Sequence, residues 1–356
     1  MTVVHVVLPG DIDDPTTPSG GNSYDRRVCQ GLVASGWAVR EHAVPGGWPY
    51  PGATELAALT GLLATIPDDA VVLLDGLVAS AVPEVLVPQA HRLRLVVLVH
   101  LPLGDDDVPR RAAEREVLAA SVAVITTSEW TRHRLVALYA LPADRIHVAA
   151  PGVEPAPVAS GTAGGTELVC VAAVTPHKGH DVLTRALASV ADLRWNCVLV
   201  GALTRDPDFV EGLRRQVDEH GLTDRIRFAG PRTGADLDAA YAAADLLVLA
   251  SRGETYGMVV TEALARGLPV LATAAKGLPE ALGHTPDGRR PGLLVAPGDP
   301  AALADALRRW LGDAALRQRL RRAATDRRST LTGWEVTGRL VSEVLAQVPV
   351  VGGRAA

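Results

Sequence analysis

The sequence predicts an α/β protein with two doubly wound parallel sheets, and three observations support this prediction. Short continuous runs of Val, Leu, Ile and Ala alternate with longer helical patterns along the 356 residues. Continuous apolar runs are typical of parallel strands that are buried on both faces, and their alternation with helices indicates doubly wound sheets. A segment rich in Pro, Gly and Ala, 150–167, interrupts the series once, and a second strand–helix series follows it.

Strand-like runs divide evenly between the two halves of the chain. In the first half they are Val3–Leu8, Ala38–Ala43, Val71–Leu74, Leu95–Val99, Val122–Thr126 and Ile146–Ala149. In the second half they are Leu168–Ala172, Cys197–Val200, Ile226–Ala229, Leu246–Leu249, Val270–Thr273 and Leu293–Val295. We therefore predict two Rossmann-like domains, residues 1–153 and 154–330, that face each other across a ligand-binding cleft.

Composition limits the classes of partner. The formal net charge of −5 and the aromatic content of 4% argue against nucleic acid. Three widely spaced cysteines and the lack of a signal peptide or of a long apolar stretch predict a cytoplasmic protein without a transmembrane segment. The helical tail, 301–347, is rich in arginine, which is typical of a solvated helix face but leaves weak contact with an anionic membrane open.

The segment from Ser251 to Thr273 is the most informative part of the chain. It places Glu254 in a loop and Glu262 eight positions later, and the apolar pattern between them predicts a short helix. The helix opens near Tyr256, Gly257 and Met258, where free backbone N–H groups and the helix dipole favour a phosphate. Two carboxylates beside an anion site suit a nucleotide-sugar, which has hydroxyls on both sides of its diphosphate.

Lys178 and Lys276 are the only lysines in an arginine-rich chain. Lys178 follows the strand Leu168–Ala172 in the sequence VTPHKG, so we expect its ammonium at the carboxyl edge of the sheet. There it can neutralise a phosphate charge. For Lys276 two interpretations stay open: a functional role, or a lysine retained by chance. His177 and His180 lie beside Lys178 but have no third ligand, so no metal site is predicted.

The first half has its own candidate residues. Gly20 and Gly21 follow Ser19 in a loop that precedes a helix predicted from Asn22 to Ala34, and glycines let a backbone approach a ligand closely. His100 and Asp75 each end an apolar strand, and polar residues at that point line the ligand crevice of open α/β sheets. The dinucleotide fingerprint GxGxxG is absent, which disfavours an oxidoreductase.

These motifs together resemble the retaining GT-B glycosyltransferases of glycosyltransferase family 4. The resemblance is carried by the E-x7-E pair Glu254 and Glu262, the continuation EALARGLPVLAT, TPHKG with Lys178, and Trp334 near the start of the last helix. It covers nearly the whole chain. It also implies a final segment, residues 331–356, that crosses back to the N-terminal domain.

The resemblance implies a role for each matching residue. Glu262 would bind the ribose and Glu254 the donor sugar, while the backbone N–H groups of Tyr256, Gly257 and Met258 would hold the diphosphate. Lys178 would neutralise the diphosphate, Gly20 and Gly21 would close on it from the other domain, and His100 would face the sugar near its reacting carbon. His100, Lys178 and Glu254 are thus the candidate catalytic residues.

The resemblance further implies a metal-independent hexosyltransferase without a cofactor, whose donor is a nucleotide-diphosphate sugar, with UDP or GDP favoured. The acceptor would be a small molecule or a glycan. One departure is evident: family members carry an Arg five or six residues before the Lys, where Ala173 and Ala172 stand here. His177 or Arg205 could take its place. The departure keeps an inactive nucleotide-sugar-binding protein open as an alternative, beside a GT-B sugar phosphorylase or synthase.

Overall fold

The computed structural model describes residues 2–14, 16 and 18–348, with only the backbone of Asp106. The chain forms two compact units. The first unit contains the described residues of 1–14, 19–152 and 334–356, and the second contains those of 15–18 and 153–333. Each unit has its own parallel sheet of six strands.

All twelve predicted strands are present, and their ends differ from the prediction by at most one residue. The first unit has β1 (Val3–Pro9), β2 (Ala38–Val44), β3 (Val71–Asp75), β4 (Arg94–Val99), β5 (Ala123–Thr126) and β6 (Ile146–Val148). The second unit has β7 (Glu167–Val171), β8 (Asn196–Val200), β9 (Ile226–Gly230), β10 (Leu246–Leu249), β11 (Val270–Thr273) and β12 (Gly292–Val295). The central strands β4, β10 and β11 are buried throughout, as their continuous apolar sequences predict.

Helices cover the sheets in each unit. They are α1 (Gly20–Ala34), α2 (Ala53–Ala64), α3 (Gly76–Ala79), α4 (Pro83–Leu86), α5 (Leu103–Asp106), α6 (Arg110–Ala120), α7 (Glu129–Tyr139), α8 (His180–Ala188), α9 (Pro207–Glu219), α10 (Gly234–Ala242), α11 (Met258–Ala265), α12 (Leu278–Leu282), α13 (Pro300–Gly312), α14 (Ala314–Arg327) and α15 (Trp334–Gln347). Short 3₁₀ turns occur at Val87–Gln89, Ala143–Arg145, Pro176–Lys178 and Arg328–Thr330. Within the described residues, no helix combines the length and apolar character that a membrane span requires.

The last helix, α15, packs on α1 in the first unit. Gly31 of α1 and Gly338 of α15 meet closely, because a Cβ added to Gly31 would lie 2.8 Å from the Cα of Gly338. The indole N–H of Trp37 donates to the Ser342 hydroxyl at 2.8 Å. The hydroxyl of Thr337 donates to the carbonyl of Ala150 at 2.7 Å. Small residues and hydrogen bonds therefore fix this helix to the unit that begins the chain.

The order of the strands reverses once in each sheet. The first sheet has the order β2-β1-β3-β4-β5-β6, and the second has the order β12-β11-β10-β7-β8-β9. The reversals fall between β1 and β3 in the first unit and between β7 and β10 in the second. Because ligands of open α/β sheets bind beyond the carboxyl ends of the strands at such a point, each unit has one place where a site is expected.

Candidate functional site

The second unit brings Lys178 and Glu254 into direct contact at its reversal point. Lys178 lies in the 3₁₀ turn that follows β7, and Glu254 lies in the loop that follows β10. The Lys178 Nζ donates to Oε1 of Glu254 at 2.6 Å, and the Ser251 hydroxyl donates to the same oxygen at 2.9 Å. Both side chains are partly exposed, at 27% for Lys178 and 15% for Glu254, so a ligand can reach this pair.

Helix α11 begins at Met258, in the segment where the sequence predicted a short helix. Gly257 caps its N-terminus with a φ of 97°, a left-handed conformation that favours glycine. A Cβ at Gly257 would also lie 2.5 Å from Cδ2 of Leu278, so this buried side chain would have to shift to admit it. The first N–H groups of a helix lack intrahelical carbonyl partners, which makes this end of α11 electropositive. In its first turn, the N–H of Val260 donates to the carbonyl of Gly257 at 2.9 Å.

Glu262 lies on the second turn of α11, where it accepts a hydrogen bond from a residue that the sequence did not single out. The hydroxyl of Tyr241 in α10, a fully buried residue, donates to Oε2 of Glu262 at 2.8 Å. Burial raises the pKa of Glu262, while the hydrogen bond from Tyr241 and the charge of Arg266 act in the opposite direction. Tyr241 therefore orients the Glu262 carboxylate and stabilises its ionised form.

Tyr256 lies in the loop directly before Gly257, the N-cap of α11. Its ring is half-buried, and burial raises the pKa of the phenol to about 12, with the charge of Glu280 adding to this and that of Arg327 opposing it. The second unit thus holds Lys178, Glu254 and Glu262 around the start of α11.

In the first unit, His100 forms a buried cluster with two carboxylates. The His100 Nε2 lies 2.8 Å from Oδ1 of Asp25 and 3.4 Å from Oδ2 of Asp75. The side chain of His100 is 15% exposed, whereas those of Asp25 and Asp75 are each 2% exposed. Tyr24 packs edge-on against the imidazole, with 5.2 Å between ring centroids. Asp75 comes from the carboxyl end of β3 and Asp25 from α1.

The two carboxylates keep His100 charged. Burial alone would lower the pKa of the imidazole, but the charges and hydrogen bonds of Asp25 and Asp75 outweigh it and raise the pKa to about 10. Burial raises the pKa of Asp25. Burial also opposes the ionisation of Asp75, yet its hydrogen bonds with His100 and Asp25 and from the N–H of Leu77 leave its pKa lowered. The cluster is therefore an imidazolium between two carboxyl groups.

Gly21 also lies beside His100, although not in the conformation that the sequence predicted. The prediction of a loop through Gly20 and Gly21, with a helix from Asn22, is wrong: α1 begins at Gly20. The reason is the cap, because the Ser19 hydroxyl accepts the N–H of Asn22 at 3.1 Å and starts the helix two residues earlier. A Cβ on Gly21 would lie 3.5 Å from Cδ2 of His100.

Asp25, Tyr241 and Ser251 are the contacts that sequence reasoning missed. One signal could have revealed Asp25, since it lies four residues after Gly21 and shares a helix face with it. Among the described residues, Asp25, Asp75 and His100 form the one group of three whose potential metal-ligand atoms lie within 4.8 Å of one another. The Nε2 of His100 is hydrogen-bonded to a carboxylate in that group, which gives an ion pair.

Two family models match the chain and together cover most of it. The model described as "Glycosyltransferase Family 4" matches residues 4–156, and the model described as "Glycosyl transferases group 1" matches residues 160–327. Among solved structures, the sucrose-phosphate synthase of Thermosynechococcus elongatus has a TM-score of 0.80 at 22% identity and covers 98% of this chain and 99% of its own. Anabaena HepE in complex with UDP-glucose has a TM-score of 0.76 at 18% identity and covers 97% of this chain and 100% of its own. The fold is therefore that of the GT-B glycosyltransferases.

Curated relatives show the family at higher identity. The D-inositol 3-phosphate glycosyltransferase of Frankia alni is 33% identical over 290 residues, which are 75% of this chain and 70% of the relative. The protein of that name from Jonesia denitrificans is 32% identical over 274 residues, which are 71% of this chain. The chain spans only 63% of the length of that relative and 59% of a third, from Stackebrandtia nassauensis. The chain belongs to glycosyltransferase family 4.

Proposed function

We propose that the protein is a retaining, metal-independent glycosyltransferase that moves a hexose from a nucleotide-diphosphate sugar to an acceptor hydroxyl. The observation that carries the proposal is the Lys178–Glu254 pair directly before the electropositive start of α11. Relatives named D-inositol 3-phosphate glycosyltransferase and a structural neighbour in complex with UDP-glucose support a nucleotide-sugar donor. A small-molecule or glycan acceptor and a UDP or GDP donor remain part of the proposal.

Each candidate site residue of the second unit has a role in this proposal. Glu262, oriented by Tyr241, binds the ribose hydroxyls of the nucleotide. The first-turn N–H groups of α11, around Gly257 and Met258, bind the diphosphate. Lys178 moves its ammonium from Glu254 to the phosphate, which frees Glu254 to bind hydroxyls of the sugar. Lys178 and Glu254 thus replace their contact with each other by contacts with the diphosphate and the sugar.

The reaction breaks the bond between the anomeric carbon and the oxygen of the diphosphate. Negative charge grows on that oxygen, where Lys178 and the start of α11 stabilise it. The acceptor oxygen bonds to the anomeric carbon from the face that the diphosphate leaves, and its proton passes to the leaving phosphate oxygen. Gly20, Gly21 and His100 of the first unit complete the proposal, with the glycines at the phosphates and His100 beside the sugar.

The experiment is a turnover assay with UDP-, GDP-, ADP- and dTDP-sugars, followed by NMR of the product. An α-linked product from an α-linked donor, formed in the presence of EDTA, is expected. Glu254→Gln should lower kcat with little effect on nucleotide affinity, and the matched variant Glu262→Gln should weaken nucleotide affinity. An inverted product, or normal turnover by both variants, would contradict the proposal.

A second candidate, an inactive nucleotide-sugar-binding protein, is favoured by one observation. Ala172 and Ala173 stand where family members have a phosphate-binding Arg. In that case the wild type would bind nucleotides and turn over none of the four donors with any acceptor or with water.

A further inference from the structure

The only two lysines of the chain converge on one loop of the second unit. Lys178 Nζ donates to Oε1 of Glu254 at 2.6 Å. Lys276 lies 98 positions later in the sequence. Its side chain lies against Gly253, the residue before Glu254, because a Cβ built on Gly253 would be 3.0 Å from Cε of Lys276. Two ammonium side chains therefore reach adjacent residues directly before the start of α11.

The backbone of Lys276 adopts a conformation that is unfavourable for a residue with a side chain. Its φ is 50°, within the left-handed region that glycine adopts readily and that a residue with a Cβ adopts at a cost. Strained backbone of this kind tends to occur at functional sites, where the surrounding structure holds it. A glycine would fit this position without strain, but the chain has a lysine there.

Gly277, the residue after Lys276, holds the backbone of Lys276 beside the loop that carries Glu254. The N–H of Gly277 donates to the carbonyl of Glu254 at 2.7 Å. A Cβ on Gly277 would lie 2.1 Å from the carbonyl oxygen of Thr255, so the two loops touch through their backbones. The Cα of Lys276 is thus held beside the loop that carries Glu254.

A diphosphate carries more negative charge than the single ammonium of Lys178 can neutralise. The positions that end the β7 segment, Ala172 and Ala173, carry none. Arg252 is close in sequence, but its guanidinium is bound to Asp181 at 2.8 and 3.0 Å and to the carbonyl of Pro176. Lys276 is half-buried and differs from Arg252 in lying against Gly253, next to Glu254.

We propose that Lys276 is the second diphosphate-binding cation and takes the place of the Arg that other family members carry before Lys178. This role rests on the proposed function, because it needs a nucleoside diphosphate at the start of α11. Lys178 and Lys276 then contact the diphosphate from the loops that follow β7 and β11, on either side of Gly253.

The test compares UDP with uridine, and GDP with guanosine, by isothermal titration calorimetry of the full chain. Lys276→Gly should weaken binding of the preferred diphosphate roughly 10- to 100-fold, the usual effect of losing a hydrogen bond between charged groups. Binding of the matching nucleoside should not change. The variant should fold, because glycine accepts the left-handed φ, and Lys276→Gln gives the same comparison with the side-chain volume kept.

Two further variants sharpen the test. Adding Ala173→Arg to Lys276→Gly should restore most of the lost affinity, since it returns a cation to the position where the family carries one. The matched control is Arg252→Ala, which removes a nearby cation that is bound to Asp181 and should leave the affinity for the diphosphate within about twofold.

Unchanged affinity for the diphosphate in both Lys276 variants would overturn the role of Lys276 and leave the proposed function standing. An equal loss for the nucleoside and the diphosphate would also overturn it, because it would indicate a structural effect on the base or ribose site. A wild type that binds neither UDP nor GDP would overturn this role and contradict the proposed UDP or GDP donor at the same time.

Discussion

The reversal points of the two sheets share an architecture but hold opposite chemistry. In the second unit, the edge between β7 and β10 carries Lys178, a partly exposed carboxylate and the N-terminus of an eight-residue helix. In the first unit, the corresponding edge carries an imidazolium whose two carboxylate partners are almost completely buried. One edge therefore holds an ion pair that a ligand can reach, while at the other edge the two carboxylates of the ion pair are buried.

This difference separates two uses of an ion pair. The Lys178–Glu254 pair is accessible, so a ligand can exchange with either partner and the pair can take part in binding. The partners of His100 are inaccessible, and one oxygen of Asp25, Oδ2, is buried without a hydrogen-bond partner in the described part of the chain. That cluster fixes the position and charge of His100. The same kind of contact is thus accessible to a ligand in one unit and buried in the other.

The largest expected effect concerns the buried cluster. His100→Leu should destabilise the protein by about 3–5 kcal/mol, since it leaves two buried carboxyl groups without their cation. The measurement is urea-induced unfolding at pH 7. The double variant His100→Leu/Asp25→Asn should recover part of the loss. A loss below about 1 kcal/mol would show that this pair behaves like an exposed one and would remove the contrast between the two edges.

The same cluster predicts a pH dependence with a defined sign. The pKa of His100 is raised from its ordinary value of 6.5 to about 10. The stability that the imidazolium contributes is therefore complete below pH 6.5 and is lost as the pH rises through about 10. NMR titration of the His100 ring should show this value, and Asp25→Asn should lower it. An ordinary midpoint near 6.5 in the wild type would contradict the ion-pair interpretation.

The accessible pair predicts a loss of catalysis in place of a loss of stability. Lys178→Ala should lower kcat by about 100- to 1,000-fold, equivalent to about 2.7–4 kcal/mol of barrier, because the leaving phosphate loses a charged donor. Steady-state turnover of the donor measures this, and circular dichroism checks that the variant folds. If Lys178→Ala unfolds readily but retains its kcat, the accessible pair contributes to stability and not to catalysis, which would contradict this prediction.

A smaller effect is expected at Tyr241, which orients Glu262. Tyr241→Phe removes one hydrogen bond and should weaken nucleotide binding roughly 3- to 10-fold, with kcat at saturating donor unchanged. Calorimetric titration with the preferred nucleotide measures the change. Unaltered affinity in this variant, beside a clear loss in Glu262→Ala, would show that Glu262 needs no orienting partner.

The sequence predicted the strands well because most of them are continuous apolar runs, although polar residues interrupt β2 (AVREHAV), β6 (IHV) and β9 (IRFAG). It also predicted the place of Glu254, Glu262 and α11, since these lie in one continuous segment. Tyr241 could not be predicted, because it reaches the Glu262 carboxylate from a different helix through tertiary packing. The position of Asp25 on the helix face of Gly21 was the one signal for its contact with His100. The start of α1 was misplaced because Ser19 was interpreted as part of a loop, whereas its hydroxyl caps the helix.

The most direct test of a nucleotide site at the edge of the second unit is a thermal-shift panel with UDP, GDP, ADP and dTDP. It compares the wild type with Glu262→Ala. One nucleotide at 100 times its dissociation constant should add about 2.7 kcal/mol of stability to the wild type, and the variant should lose this shift. A wild type that none of the four nucleotides stabilises, or a shift that is the same in the variant, would contradict the site.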